Sequence, residues 1–335
     1  MKTFARSALI VGAAAALLAA CGGSQPSIGA PGTIPQSRVV VTHAERGGSW
    51  MLPEAKGRDL LYVTVPYLPA LGVYVYTYPR LKPVGQLGAT AVPEGECTDA
   101  AGHVFVVDSG NYVVLEYAHG GTSPMATIYS PAMLPFSCSI DPTTGNLAVS
   151  GRGTNGKRHD VISIYAYKPH RGWRFPKLYG DSTMTSGAFC GYDNNGNLFV
   201  DGLTSSDRFE LAALLKSGKT LATITLNQVI QLPAQVQWDG SHLAIGDAGV
   251  SPSVIYQFSI SGSSGTEVGS TVLNGSKQIE GFLIQGGKLI GPDLSFTNAG
   301  VGFWPYPRGG ARNRSIHIYN PFGVAISPRP VIRNR

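Results

Sequence analysis

The chain has 335 residues with 43 glycines, 23 prolines, 14% charged residues and a formal net charge of +6 at pH 7. That balance suits short strands joined by many turns and excludes a charge-rich disordered chain. The positive charge is local: residues 301–335 hold six arginines (308, 312, 314, 329, 333, 335) and no acid, while residues 22–300 hold 18 Lys and Arg against 20 Asp and Glu.

The N-terminus reads "MKTFARSALIVGAAAALLAAC". Lys2 and Arg6 precede an apolar stretch over 7–20 that falls short of the roughly 20 residues needed to span a bilayer. This is the layout of an export signal. Its ending, "LAAC", resembles the bacterial lipobox, which implies cleavage before Cys21 and lipidation of the Cys21 thiol; an ordinary secretory signal beside a cysteine is the plainer alternative. Acyl chains on Cys21 would hold the protein at the bacterial cell envelope, each buried methylene contributing about 0.8 kcal/mol. The Gly-, Pro- and Ser-rich stretch after it reads as a tether. The expected division is a signal over 1–20, a lipidated Cys21 and flexible tether over 21–55, a folded domain over 56–328 and a basic tail over 329–335. Residues 50–53 are expected at the domain edge. The tail suits anionic headgroups or plain solvation, and export argues against nucleic acid as a partner.

From residue 57 a phrase recurs: "GRDLLYVT", "DAAGHVFVVD", "DPTTGNLAVS", "DNNGNLFVDG", "WDGSHLAIGD", "IQGGKLIGPD". The first strongly apolar residues after each turn are Leu61, Val104, Leu147, Leu198, Leu243 and Leu289, spaced 43 to 51 residues apart. A third strand comes after each phrase ("YVVLEYAHGG", "ISIYAYKPHRG"), then a fourth ("SPMATIYS", "TLATITLN"), and a short entry such as "GECTD", "FSCSI" or "AFCGY" precedes each turn. Four strands per period of this length mark a β-propeller blade. The first blade lacks an innermost strand, and "PFGVAISP" near the C-terminus matches the entry phrases. The predicted fold is all-β: a six-bladed β-propeller of four-stranded blades, closed by the C-terminal strand, which hides both sheet edges.

"GHVFVVDSGNYVVLEYAHGG" resembles an NHL-type repeat, and the resemblance extends over about 56–328. The whole chain also looks like a group of bacterial propeller lipoproteins that share "GYDNNGNLFVDG" and "VQWDG"; that likeness implies a fold and a location, not an activity.

Several patterns invite a chemical reading. "SGRGTNGKRHD" satisfies G-x-G-x-x-G and most of a phosphate-loop motif, but apolar β-branched segments lie on both sides, and Arg158 stands where a Ser or Thr would hold magnesium. It reads as a hairpin loop carrying Arg152, Lys157 and Arg158, a basic contact for an acidic ligand. "DNNGN" lacks the glycine and glutamate of a calcium loop, with Leu198 and Thr204 in their places, and reads as a turn. Asp108, Asp201, Asp247 and Asp293 end the second strands, and Glu94, Glu96 and Glu280 enter innermost strands, so all face the channel mouth. Propeller lactonases are similar in plan, using mouth carboxylates and an Asn to hold a divalent metal such as calcium. Recurrence in several blades instead favours caps that bind backbone N–H groups. Cys97, Cys138 and Cys190 occupy similar innermost-strand positions and read as core residues, with a disulfide or soft metal as alternatives. His103 and His242 are equivalent turn residues. Tyr76, Tyr78, Tyr117, Tyr165, Tyr167, Trp304 and Tyr306 fall on third strands and suit packing between blades, with Trp304 and Tyr306 beside Arg308 as a candidate exposed patch.

The expected function is a monomeric envelope-anchored module that binds a small molecule or a protein, with no cofactor. The alternative is a metal-dependent lactonase, hydrolase or lyase at the channel mouth.

Overall fold

In four of the six recurring phrases the turn is anchored by an aspartate, Asp99, Asp141, Asp193 or Asp239, that binds the backbone just ahead of it. Asp193 Oδ1 accepts the N–H groups of Asn195 and Asn197, both at 2.8 Å. Asp99 does the same for Ala101 and His103, and Asp239 for Ser241 and His242. Gly196 sits in the left-handed region at φ +82°, where a side chain is strained. The turn therefore releases each second strand at a fixed angle, and that strand is largely apolar and fully buried, as in Val104–Asp108 and Leu243–Asp247. These features come from a computed structural model that describes residues 48–88, 90–131, 133–154, 160–294 and 299–330. The signal segment, Cys21, the first part of the tether, Lys157, Arg158 and residues 331–335 lie outside the described residues.

The strands form an all-β propeller. The first sheet runs, from inside outward, Val324–Ser327, Asp59–Val65, Gly72–Tyr78, Pro83–Leu87 and Trp50–Met51. Trp50 and Met51 thus add a fifth strand at the edge, paired with Gln86 and Gly85. The second sheet is Pro93–Thr98, Val104–Asp108, Val113–Tyr117 and Pro124–Tyr129. The third is Met133–Ile140, Leu147–Gly153, Asp160–Tyr165 and Lys177–Gly180, and the last is Leu283–Gln285, Lys288–Asp293, Gly300–Pro305 and Arg314–His317. A small hairpin of Tyr167–Lys168 with Gly172–Trp173 is inserted in the third repeat and accounts for its longer, 51-residue spacing.

Six separate four-stranded sheets are not what forms. Four sheets of four or five strands stand alone, and residues 184–274 make one nine-stranded sheet with Gly310–Ala311. The join is a parallel pairing of Thr225 with Ser264 and Leu226 with Gly265. The strand Ser264–Asn274 is eleven residues long, and its first residues, Ser264 and Gly265, pair with Ser261 and Ile260 on one side and with Thr225 and Leu226 on the other.

Apolar clusters fill the spaces between sheets. Phe105, Val107 and Val114 of the second sheet pack on Leu147, Val149 and Tyr165 of the third. Leu61 and Val63 of the first pack on Ile290, Val301 and Phe303 of the last. Burying each such side chain contributes about 1.5–3 kcal/mol. Trp304 belongs to this core: it is fully buried and its Nε1 donates to Asn274 O at 3.1 Å, and Tyr306 donates to Asp239 Oδ2 at 2.7 Å. The expected exposed Trp304–Tyr306 patch is therefore not formed, because both polar tips find partners between sheets.

Neighbouring inner strands are fastened by contacts of different kinds. Cys97 and Cys138 form a disulfide between the second and third sheets. Ser139 Oγ accepts the Tyr192 N–H at 3.2 Å, and Gln237 bridges both the N–H and the C=O of Ile284. A Cβ on Gly281 would lie 2.5 Å from Phe322 O, and one on Gly323 2.7 Å from Glu94 O, so only glycine allows these approaches. Thr98 Oγ1 donates to Ile326 O at 3.2 Å.

The cysteines do not share one position. Counted from the residue facing the start of the second strand, Cys138 and Cys190 lie two back and Cys97 one back. That one-residue offset turns Cys97 toward the next blade and Cys138 toward the previous one, so these two bond and Cys190 stays a free, buried thiol. Burial pushes that thiol up to about 12, against hydrogen bonding from Ser150.

Candidate functional site

The four strand-end aspartates are spent on backbone. Asp108 accepts the N–H groups of Ala91 and Val92 at 2.8–3.1 Å and the Asn111 amide at 2.8 Å. Asp247 accepts from Gln231, Leu232 and Gly249, and Asp293 from Lys277 and Gln278. In each case the strand end clamps the loop that leads into the innermost strand of its own repeat. Asp201 sits one residue earlier in its strand and reaches across, accepting from Phe189 at 2.8 Å and Ala234 at 3.2 Å. Thr64 and Ser150 hold the same earlier position and also bridge, Thr64 Oγ1 to Glu94 O and Ser150 Oγ to Ala188 O. Two interleaved sets of caps, not one ring of free carboxylates, result from this shift.

The glutamates differ. Glu94 and Glu280 flank Phe322 where the inner strands begin: Thr64 ties Glu94 O to the Gly323 N–H, and Gly281 abuts Phe322 O. Burial pushes the Glu94 carboxyl up to about 8, the Ser109 hydroxyl opposes this, and the charges of Glu280 and Asp108 add to it. Burial also raises Glu280, against the Gln278 amide that donates to it at 2.7 Å. Tyr67, 54% exposed, has its phenol raised by partial burial and then by the charges of both glutamates. Two acids and a phenol from three sheets thus share one mouth. Below them the rings of Phe136, Phe189 and Phe322 meet at centroid distances of 5.2, 5.2 and 6.2 Å and plug the axis.

Beneath the plug lies a cavity of about 210 Å³ lined from all the inner strands, with residues such as Cys138, Gln237, Phe282 and Ala325 on its wall. Glu96 lines it, 9% exposed, rather than standing at the mouth. Burial raises its carboxyl well above the usual range, against the nearby Ala325 and Thr64 N–H groups. Among the described residues, no group of three or more His, Cys, Asp or Glu is placed to hold a metal ion.

Arg152 is exposed on Leu147–Gly153, opposite Leu134, and Lys157 and Arg158 lie outside the described residues. The strand Leu147–Gly153 precedes this loop and the strand Asp160–Tyr165 follows it, where a phosphate loop would lead into a helix. His103 sits between Asp99 and Glu116, and Trp173 Nε1 donates to the same Glu116 at 2.8 Å, a bracket between two sheets. Tyr67 and the phenylalanine plug were not singled out from the sequence. Phe136 lies two residues before Cys138 and Phe189 one residue before Cys190, so no shared spacing marks the plug in the sequence.

The raised glutamates set a pH dependence. A carboxyl whose folded pKa exceeds its usual 4.5 favours folding below that value, and the contribution is lost as pH rises through the folded pKa. Between pH 6.5 and 8.5 the melting temperature is expected to fall by several degrees, and Glu94→Gln should flatten the slope. A melting series by circular dichroism checks this; an unchanged slope in the variant would count against a buried, raised Glu94.

No known family model matches the sequence, and no curated protein matches it. Solved structures do share the fold. One, from a nidogen/laminin complex, is 14% identical with a TM-score of 0.63 over 81% of this chain and 99% of that one. A Bacteroides caccae protein of unknown function is 11% identical with a TM-score of 0.62 over 81% and 99%. A Bacteroides fragilis NCTC 9343 protein provisionally described as a 6-phosphogluconolactonase is 11% identical with a TM-score of 0.52 over 82% and 99%. At these identities the likeness speaks for the propeller alone.

Proposed function

We propose that this chain is an exported bacterial lipoprotein, held at the cell envelope through lipid on Cys21, whose propeller acts as a monomeric binding module. We read the propeller as an NHL-type closed ring of six four-stranded blades. The nine-stranded sheet divides into two antiparallel runs at its parallel join, and Leu60–Val63 pair with Val324–Ser327 of the C-terminal strand. Among the described residues no helix is long and apolar enough to cross a membrane, so membrane retention in this reading rests on Cys21, and Cys21→Ser should release the protein from the membrane fraction.

One observation carries the binding reading: the recurring aspartates are consumed by backbone, whereas Glu94, Glu280 and Tyr67 converge at the mouth. A positively charged group on a small molecule or a protein would offset the burial that keeps these two acids un-ionised, so the mouth suits such a group. The metal-dependent hydrolase alternative draws on a neighbour's description at 11% identity. Elemental analysis with titration by lysine amide and by calcium chloride separates the two. The binding module predicts no stoichiometric divalent metal and saturable amine binding that drops about tenfold in a Glu94→Gln, Glu280→Gln double variant. A bound metal lost on Asp108→Ala or Asp293→Ala would overturn it in favour of the hydrolase.

A further inference from the structure

The axial cavity holds polar groups that the protein does not use. Both Glu96 carboxyl oxygens and Trp238 Nε1 are buried without a hydrogen bond, and both residues line the cavity. Several other polar side chains on the wall have partners: Thr98 on Ile326 O, Ser139 on the Tyr192 N–H, Gln235 on the carbonyls of Cys190 and Val236, and Gln237 on Ile284. A buried polar group left unsatisfied destabilises the fold, so two on the wall of one cavity ask for a partner. Among the described residues Glu96 is the sole Asp, Glu, Lys, Arg or His on this wall.

Burial holds Glu96 protonated far above the usual carboxylate range, so it offers one O–H donor and one carbonyl acceptor. A cation would require ionising it in a wall with no other charge, which burial opposes. A hydroxyl both donates and accepts, and so matches a neutral carboxyl; an ether or hydroxyl oxygen takes the indole N–H. Trp238 adds a flat apolar face. A cavity of roughly 150 Å³ admits a benzene ring, so 210 Å³ admits a ring with substituents. Thr98, Ile140, Tyr192 and Trp238, at the ends of the inner strands, are half-buried, whereas Cys138, Cys190 and Val236 deeper in are fully buried. Access is therefore from the face opposite the Glu94–Glu280 mouth.

We propose that the axial cavity binds one uncharged, hydroxylated molecule the size of a single sugar ring, with Glu96 exchanging hydrogen bonds with a hydroxyl and Trp238 donating to an oxygen. This site is separate from the acid mouth and stands or falls independently of it. The test is calorimetric titration of the full-length protein with xylose, glucose and galactose in turn, and with ethylamine as the contrary probe. One of the sugars is expected to saturate one site per chain. Glu96→Gln keeps a neutral donor and acceptor and should bind within about threefold of the parent, while Glu96→Leu should bind at least about tenfold more weakly. If Glu96→Leu does not fold, Trp238→Phe supplies the same expected loss. The proposal is overturned if no sugar saturates, if ethylamine binds with an affinity that rises with pH, or if Glu96→Leu and Trp238→Phe bind like the parent.

Discussion

Ending the chain before Pro321 should abolish the soluble fold. The lost segment carries Phe322, Val324 and Ile326, each 5–6% exposed. Val324 and Ile326 belong to the cluster that joins the first and last sheets. At about 1.5–3 kcal/mol each, these three side chains supply roughly 5–9 kcal/mol, within the whole net stability of 5–15 kcal/mol typical of a domain. The cut also removes the strand paired with Leu60–Val63, leaving an apolar edge open to other chains. It removes Ser327 as well, whose hydroxyl donates to Gly102 O and takes the Nδ1–H of His119 at 2.7 Å. Solubility on expression and a thermal melt provide the readout. A soluble product as stable as the parent would refute closure by the C-terminal strand.

Loss of the disulfide is expected to be the next largest effect. Cys97 and Cys138 are 41 residues apart, and closing a loop of that length removes about 4 kcal/mol of unfolded-state entropy. The bond also lies at the channel wall, where it ties the second sheet to the third. Reduction, or a Cys97→Ala, Cys138→Ala double variant, should lower the melting temperature by about 8 °C. Cys190→Ala should cost far less, since it deletes one buried sulfur and no cross-link. Equal losses from the two changes would mean that packing, not the cross-link, carries the stability.

Much of the propeller was legible because its turn chemistry repeats. An aspartate, a glycine at positive φ and an apolar run must recur wherever the same loop is built, and Asp99, Asp193 and Asp239 make this visible in the sequence. What escaped depends on register. Whether a carboxylate caps its own loop or bridges to the next depends on a single-residue shift, as between Asp108 and Asp201, and the strand's alternation turns that shift into opposite faces. The same one-residue offset decided that Cys97 and Cys138 bond while Cys190 does not. The mouth was half legible: Glu94 and Glu280 were recognised, but Tyr67 lies in a loop whose sequence carries no repeat. Glu96, grouped with the mouth acids in the sequence, proved to belong to the cavity because it stands two residues deeper than Glu94 on the same strand.

The unlike fasteners between inner strands bear on assembly order. A molecule built from near-copies of one module is at risk of joining them in the wrong sequence, or of lending one to a neighbouring chain. Here a sulfur finds its mate at one junction, an amide spans a backbone at another, and at others a bare glycine admits a carbonyl that any side chain would repel. Exchanging two modules would set glutamine against glycine or strand a cysteine without its mate. The wall of the channel thus works as a set of keyed joints, and the chain's own order is the arrangement in which every key meets its lock.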